Sequence, residues 1–125
     1  MSLDMYAEEI LDNYRNPKNF GKMENPDVVY KELNPLCGDE YEFQLKLEGE
    51  IVKDVKFRGD GCAISMASSS MLSEFVKGKS VSELERLTPD DVFKLLKISV
   101  SPARMKCALL SLSVLMGCIK KRSDV

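Results

Sequence analysis

A β-hairpin signal at residues 40–58 is the feature that most restricts the fold of this 125-residue chain. Apolar and polar residues alternate strictly over 40–47 and less regularly over 51–58, where Lys53 interrupts the pattern. Such alternation is typical of strands with one buried face, and Gly49 supplies a turn between them. The segment predicts two antiparallel strands with these side chains facing inward: Tyr41, Phe43, Leu45, Leu47, Ile51, Val55 and Phe57.

The rest of the chain predicts one further strand and several helices. Apolar residues at helical spacing and capping residues at the ends indicate where each helix begins and stops. The expected elements are a helix over 2–14, a short strand around 28–30, a helix over 62–77 with the apolar stripe Ile64, Ala67, Met71 and Phe75, a short helix over about 89–97, and a last helix from Pro102 to about Arg122. This order predicts an α+β fold with a three-stranded antiparallel sheet, in a single domain over 1–125.

Composition argues against several classes of function. The net charge is −2, from 18 basic and 20 acidic residues, so no concentrated basic face for nucleic acid is expected. No apolar run approaches the roughly 20 residues that a membrane helix needs. Residues 1–10 carry three acidic residues and no basic one, unlike a signal peptide. We therefore expect a cytoplasmic protein without nucleic-acid or membrane partners.

Four cysteines and no histidine restrict the chemistry further. In a reducing compartment, cysteines suggest metal binding or catalysis before disulfides. The absence of histidine removes the commonest general base and metal ligand. Any metal site must then use thiolates and carboxylates, and a cysteine-nucleophile hydrolase would lack an imidazole base. We do not expect an enzyme of that kind.

Hairpin geometry brings two cysteines together. Opposed side chains of an antiparallel pair lie on the same face. The apolar faces of the two strands match in either of two registers. Phe43 faces Val55 in the first, and Phe43 faces Phe57 in the second, which is shifted by two residues. Extending either register places Cys37 opposite residue 61 or 63, so Cys37 and Cys62 should meet at the open end of the hairpin.

The surroundings of these two cysteines suit a metal site. Cys37 precedes Gly38, in a turn-like stretch where backbone can approach a ligand closely. Cys62 follows Gly61 and opens a helix, whose dipole favours the thiolate. Asp39 offers an oxygen ligand, although a turn residue bonded to local backbone is an equal alternative. Each cysteine alone could also be a buried small hydrophobic residue.

The last helix carries the other two cysteines. Arg104 lies three residues before Cys107 and shares its face, so its guanidinium would lower the thiol pKa. Lys106 points about 100° away, and both cations could instead be solvated surface charge. Cys118 lies roughly 16 Å further along the helix than Cys107 and is expected in the core. Three thiolates and one carboxylate suit tetrahedral zinc or the edge of an Fe–S cluster.

Four stretches resemble the U-type iron–sulfur cluster assembly scaffolds, namely IscU, SufU and the N-terminal domain of NifU. They are residues 14–21 (YRNPKNFG), 35–39 (PLCGD), 59–70 (GDGCAISMASSS) and 102–107 (PARMKC). The resemblance spans roughly residues 4–120 and includes all three candidate cysteines in order. It implies the SufE/NifU fold, with the cluster site at one end of the sheet.

The resemblance also implies ligands, cargo and partners. Cys37, Cys62 and Cys107 would hold a transient [2Fe–2S] cluster or a Zn²⁺ ion, with Asp39 as fourth or labile ligand and Gly38, Gly61, Arg104 and Lys106 in support. A cysteine desulfurase would deliver persulfide sulfur, and apo iron–sulfur proteins would accept the cluster. The alternative is a zinc-dependent sulfur carrier of the SufU type, a sulfurtransferase partner on which no cluster need form.

The sequence departs from both branches of this family. Lys106 stands where IscU has a histidine, as in SufU, but the insertion usual in SufU between the second and third cysteines is absent. The Leu-Pro-Pro-Val-Lys chaperone motif of IscU corresponds here to residues 100–104, with the sequence VSPAR. This difference argues against dependence on a dedicated chaperone system.

Overall fold

The computed structural model describes residues 2–34, 38–97 and 100–123, with the side chains of 2–7, 103 and 123 left out. In these described ranges, three strands are followed by four helices, and one helix precedes the strands. In chain order the elements are α1 (Ser2–Arg15), β1 (Val28–Asn34), β2 (Asp39–Glu48), β3 (Ile51–Asp60), α2 (Ala63–Val76), α3 (Val81–Leu84), α4 (Pro89–Leu96) and α5 (Pro102–Ser123). The described part of the chain holds no helix long and apolar enough to cross a bilayer.

The strands form one antiparallel sheet in the order β1-β2-β3, which confirms the predicted α+β architecture. Of the two registers considered for the hairpin, the second is found, because Phe43 pairs with Phe57 and Leu45 with Val55. The first register, with Phe43 opposite Val55, is wrong. A bulge between Lys46 and Leu47 then shifts the pairing by one residue.

This bulge also reverses one predicted orientation. A shift of one residue moves side chains to the opposite face of a sheet. Ile51, which the alternation placed inward, is 43% exposed, whereas its neighbour Val52 is fully buried. Val55 and Phe57 lie inward as predicted.

The core lies between one face of the sheet and the helices. Tyr41, Phe43 and Leu45 of β2 are buried there, and Phe43 packs against Phe57 with ring centroids 5.7 Å apart. Helix α5 lies against β1 and β2, and α2 lies against α1, α5 and β3. Cys118 is fully buried among these residues, as predicted, with its Sγ 3.5 Å from the Phe43 carbonyl oxygen.

Helix α2 buries a different face from the predicted one. Of the expected stripe, Ala67 is fully buried, while Ile64, Met71 and Phe75 are only half-buried. The fully or almost fully buried positions include the serines Ser65, Ser68, Ser69, Ser70 and Ser73. Several of their hydroxyls bond neighbouring elements, such as Ser68 to the Ala108 carbonyl (2.7 Å) and Ser70 to the Asn13 side chain (2.6 Å). Small side chains therefore let α2 pack closely against α1 and α5.

The helix ends follow local sequence signals. Helix α1 stops at Arg15, just before Asn16 and Pro17, and α4 begins at Pro89 after Thr88. The Asp91 carboxylate accepts the Thr88 backbone N–H at 2.8 Å. Helix α3 was not predicted, because four residues show no periodicity. Its capping box of Ser80 and Glu83 was a readable signal.

Candidate metal centre

One possible metal-binding group stands out at the end of the sheet where β2 begins. A carboxylate oxygen of Asp39 and the Sγ atoms of Cys62 and Cys107 all lie within 4.8 Å of one another. Asp39 is the first residue of β2, Cys62 immediately precedes α2, and Cys107 lies in the second turn of α5. The three donors come from separate parts of the sequence, so the tertiary fold creates the group.

The sheet register explains how two of these donors meet. Glu40 pairs with Asp60, so Asp39 and the residues after β3 lie at the same end of the hairpin. Cys62 follows two residues after Asp60, at the start of α2. The N-terminal part of α5 brings Cys107 to this end, because α5 packs against both α2 and β1.

Asp39 supplies a carboxylate oxygen with an open coordination position. The residue is 4% exposed. Its Oδ2 atom is buried and has no hydrogen-bond partner within the described ranges 2–34, 38–97 and 100–123. A buried carboxylate oxygen is costly unless it is paired or coordinates a metal. The donor set of thiolates and a carboxylate thus fits zinc or iron.

Cys62 is held in a form suited to metal binding and sulfur chemistry. It is the N-cap of α2, and its Sγ accepts the Ser65 backbone N–H at 3.4 Å. Burial by itself would raise the pKa of the Cys62 thiol. Hydrogen bonds to the sulfur, led by that of the Ser65 backbone N–H and joined by that of the Ile64 backbone N–H, outweigh burial and lower that pKa below its usual value. This direction agrees with the thiolate preference predicted at the helix start.

Gly61 leaves room for the group to assemble. A Cβ atom at this position would lie 2.4 Å from the Ser65 Oγ, 2.6 Å from the Tyr41 Oη and 2.8 Å from the Asp39 Cγ. All three distances are below ordinary van der Waals contact. Any larger residue would therefore displace Asp39 or the groups beside Cys62.

The other predicted residues are placed differently. Cys107 is 3% exposed, whereas Arg104 and Lys106 are exposed on the same helix. Gly38 has a φ of +73°, and its N–H donates to the Asn34 carbonyl at 2.8 Å. Cys37 lies outside the described residues. Its role as a ligand stays a prediction, as do the supporting roles of Arg104 and Lys106.

Sequence reasoning missed two polar groups beside the centre. Tyr41 was assigned to the apolar face of β2, and Ser65 was counted only within a helix. The Tyr41 Oη and Ser65 Oγ atoms are 2.9 Å apart and both residues are fully buried. Burial raises the pKa of Tyr41, so the phenol stays protonated. The available signal was that a buried tyrosine hydroxyl needs a partner.

Comparisons with known proteins find similar sequences over most of the chain. The sequence model of the family described as NifU-like N terminal domain matches residues 5–123. The chain is 39% identical to the zinc-dependent sulfurtransferase SufU of Bacillus subtilis strain 168, over 86% of this chain and 84% of the relative. It is 38% identical to the iron–sulfur cluster assembly scaffold protein IscU of Thermotoga maritima, over 95% of each.

A solved structure supports the same fold. A protein from Fervidobacterium islandicum AW-1, proposed as an iron–sulfur cluster assembly scaffold of the SUF system, aligns with a TM-score of 0.78 at 30% identity. The alignment covers 95% of this chain and 99% of that protein. The predicted SufE/NifU fold is therefore confirmed.

Proposed function

Because this chain belongs to the NifU-like N-terminal domain family, we propose that it is an iron–sulfur cluster assembly scaffold. In this proposal residues 1–125 form one domain that assembles a transient [2Fe–2S] cluster and transfers it to apo iron–sulfur proteins. The observation that carries the proposal is the convergence of Asp39, Cys62 and Cys107 within 4.8 Å, with one buried carboxylate oxygen left for a metal.

The third thiolate in this proposal is Cys37. It lies two residues before Asp39, so chain connectivity limits the separation of their Cα atoms to about 7 Å. Three thiolates satisfy the preference of iron for soft ligands in clusters. An aspartate as the fourth donor binds iron less tightly than a fourth thiolate would. The weaker bond lets the aspartate exchange, so that the cluster can be released from that side of the site.

Sulfur reaches the site from a cysteine desulfurase in this proposal. A thiolate of the scaffold attacks the outer sulfur of the desulfurase persulfide and displaces the desulfurase cysteine as a thiolate. The lowered pKa of Cys62 raises the fraction of this nucleophile that is thiolate at a given pH. The family members named IscU are scaffolds, so the primary role is assembly and transfer. Dependence on a dedicated chaperone is not expected, because residues 100–104 differ from the IscU motif, and the cytoplasm stays the expected location.

A second function is a zinc-dependent sulfur carrier. The specific observation in its favour is the similarity to a relative named a zinc-dependent sulfurtransferase, with Lys106 in place of the histidine of IscU. Under this alternative Zn²⁺ occupies the same donors. One cysteine thiolate would attack the outer sulfur of the desulfurase persulfide and displace the desulfurase cysteine as a thiolate, so that the protein takes part in a sulfurtransferase reaction.

One anaerobic incubation separates the two functions. The protein as purified is mixed with ferrous iron, a cysteine desulfurase and an excess of free cysteine, which supplies both the sulfur and the electrons that reduce it to sulfide, and its visible spectrum and metal content are followed. The scaffold function predicts sulfide-to-iron charge-transfer bands and about two irons per cluster. A colourless protein that retains one zinc and carries persulfide would contradict the scaffold function and support the carrier.

A further inference from the structure

A buried pair of hydroxyl groups adjoins the metal centre. Tyr41 lies on β2, two residues after Asp39, and Ser65 lies in the first turn of α2, three residues after Cys62. Both side chains are fully buried, and their oxygens are 2.9 Å apart. This hydrogen bond joins the strand that carries the carboxylate to the helix that follows the thiol.

The direction of the hydrogen bonds follows from the proton count. The Ser65 hydroxyl donates to the Cys62 carbonyl oxygen at 3.1 Å. A hydroxyl has one proton to donate, so the Tyr41 hydroxyl is the donor to the Ser65 oxygen. The Ser65 backbone N–H also donates to the Cys62 Sγ at 3.4 Å. Ser65 therefore contacts Cys62 twice, and Tyr41 holds the Ser65 hydroxyl in place.

The packing around Gly61 couples this pair to Asp39. The space that a Cβ of Gly61 would need is already filled by the Tyr41 hydroxyl, the Ser65 hydroxyl and the Asp39 carboxyl carbon. A movement of either hydroxyl toward or away from this space changes the room left for the carboxylate. The pair thus lies beside both donors.

We propose that Tyr41 and Ser65 are positioning residues whose buried hydroxyls fix Cys62 relative to Asp39 for metal binding. The inference rests on the proposed function, since it assigns these groups a role in the same site. The residues that orient metal ligands through hydrogen bonds commonly alter metal affinity by roughly 10-fold to 100-fold when replaced. Neither hydroxyl is itself a metal ligand in this proposal.

The test is a Co²⁺ titration of the metal-free protein, followed by visible absorption under anaerobic conditions. The variants are Tyr41→Phe, Ser65→Ala and the two combined. Ser70→Ala is the matched control, because Ser70 is an equally buried serine of α2 whose hydroxyl bonds Asn13 instead. Urea unfolding of each metal-free variant gives the loss of stability that any buried hydrogen bond would cause.

The proposal predicts that Tyr41→Phe and Ser65→Ala each weaken Co²⁺ binding by about 10-fold or more. Both should also shift the ligand-field bands, and the combined variant should be little weaker than the worse single variant, since the two hydroxyls act as one unit. Ser70→Ala should lose comparable stability but keep the wild-type affinity and spectrum.

Equal Co²⁺ affinities and spectra for Ser65→Ala and Ser70→Ala would overturn the inference, as would fully additive losses for Tyr41→Phe and Ser65→Ala. If Tyr41→Phe does not fold, the comparison of Ser65→Ala with Ser70→Ala decides alone. A wild-type protein that binds no Co²⁺ would overturn the proposed function itself, and the inference with it.

Discussion

Among individual residues, Asp39 has an environment that a bound metal ion would explain. Its carboxylate is buried, and its Oδ2 has no hydrogen-bond partner in the described part of the chain. A buried oxygen without a hydrogen-bond partner is rare in native structures, and it commonly marks a functional group or a bound ion. Cys62 and Cys118 show the opposite effects of environment on a thiol, since one pKa is lowered and the other raised.

Replacing Asp39 with Ala should slow transfer of an assembled cluster to an apo ferredoxin several-fold. The reason is that the site loses its exchangeable carboxylate ligand. The metal-free variant should also unfold at no lower urea concentration than the wild type, because a buried unpartnered oxygen is removed. Transfer rates are followed by circular dichroism of the acceptor. An unchanged transfer rate would reject the role proposed for Asp39.

The two thiols Cys62 and Cys118 should differ in reactivity. Burial raises the pKa of Cys118 to about 12, so at pH 8 this thiol is protonated as well as inaccessible. Iodoacetamide at pH 8 should modify Cys62 of the metal-free native protein within minutes and leave Cys118 unmodified, as read by peptide mass spectrometry. Denaturation in urea is the control and should expose both. Equal labelling of the native protein would contradict the buried placement of Cys118.

Any side chain at position 61 should lower stability and weaken metal binding at the candidate site. Gly61→Ala is expected to cost about 1–3 kcal/mol of stability through overpacking, and to weaken Zn²⁺ binding because Asp39 is displaced. Gly117→Ala is the matched control, since its Cβ would lie 2.2 Å from the Tyr30 ring, in a different contact. That variant should lose stability but bind Zn²⁺ normally. Normal Zn²⁺ affinity in Gly61→Ala would show that the close packing has no influence on the site.

At the level of helices and strands, local signals predicted most of the fold. The strand alternation, the prolines at helix starts and the glycine after α2 gave the order and approximate bounds of seven elements. The bulge in the hairpin was missed, although the interrupted alternation at Lys53 was its signal in the sequence. The serine-rich face of α2 was misjudged for a different reason. Polar residues can be buried where neighbouring elements supply hydrogen-bond partners.

The bulge makes a direct prediction for two neighbouring residues. Val52→Ala should destabilise the protein by about 1–3 kcal/mol, because a fully buried side chain is truncated. Ile51→Thr should change stability by about 0.5 kcal/mol or less, because Ile51 is largely exposed. Urea unfolding of both variants measures the difference. A larger loss of stability in Ile51→Thr than in Val52→Ala would support the register without the bulge.

For the whole molecule, the metal centre depends on tertiary packing more than on any local motif. The hairpin geometry predicted that Cys37 and Cys62 meet at the open end of the hairpin. Cys37 lies outside the described residues, and Asp39, two residues later in the chain, lies close to Cys62. The position of Cys107 beside the other donors was implied only by the family resemblance, because no local sequence rule determines how α5 crosses the sheet. Its packing against α2 and β1 supplies that information.

A site built by three elements should link metal binding to folding. Zn²⁺ at about 100 times its dissociation constant should stabilise the native state by about 2.7 kcal/mol. The urea midpoint should rise with Zn²⁺ concentration for the wild type and for Cys118→Ser, but not for Cys107→Ser. A rise of the same size in Cys107→Ser would place the zinc elsewhere.

X-ray absorption at the zinc edge tests the central claim most directly, because it counts the sulfur and oxygen neighbours of the bound ion. The account predicts three sulfurs near 2.3 Å and one oxygen near 2.0 Å, with one sulfur fewer in Cys37→Ser and no change in Cys118→Ser. Two or fewer sulfurs in the wild type, or loss of a sulfur in Cys118→Ser, would contradict it.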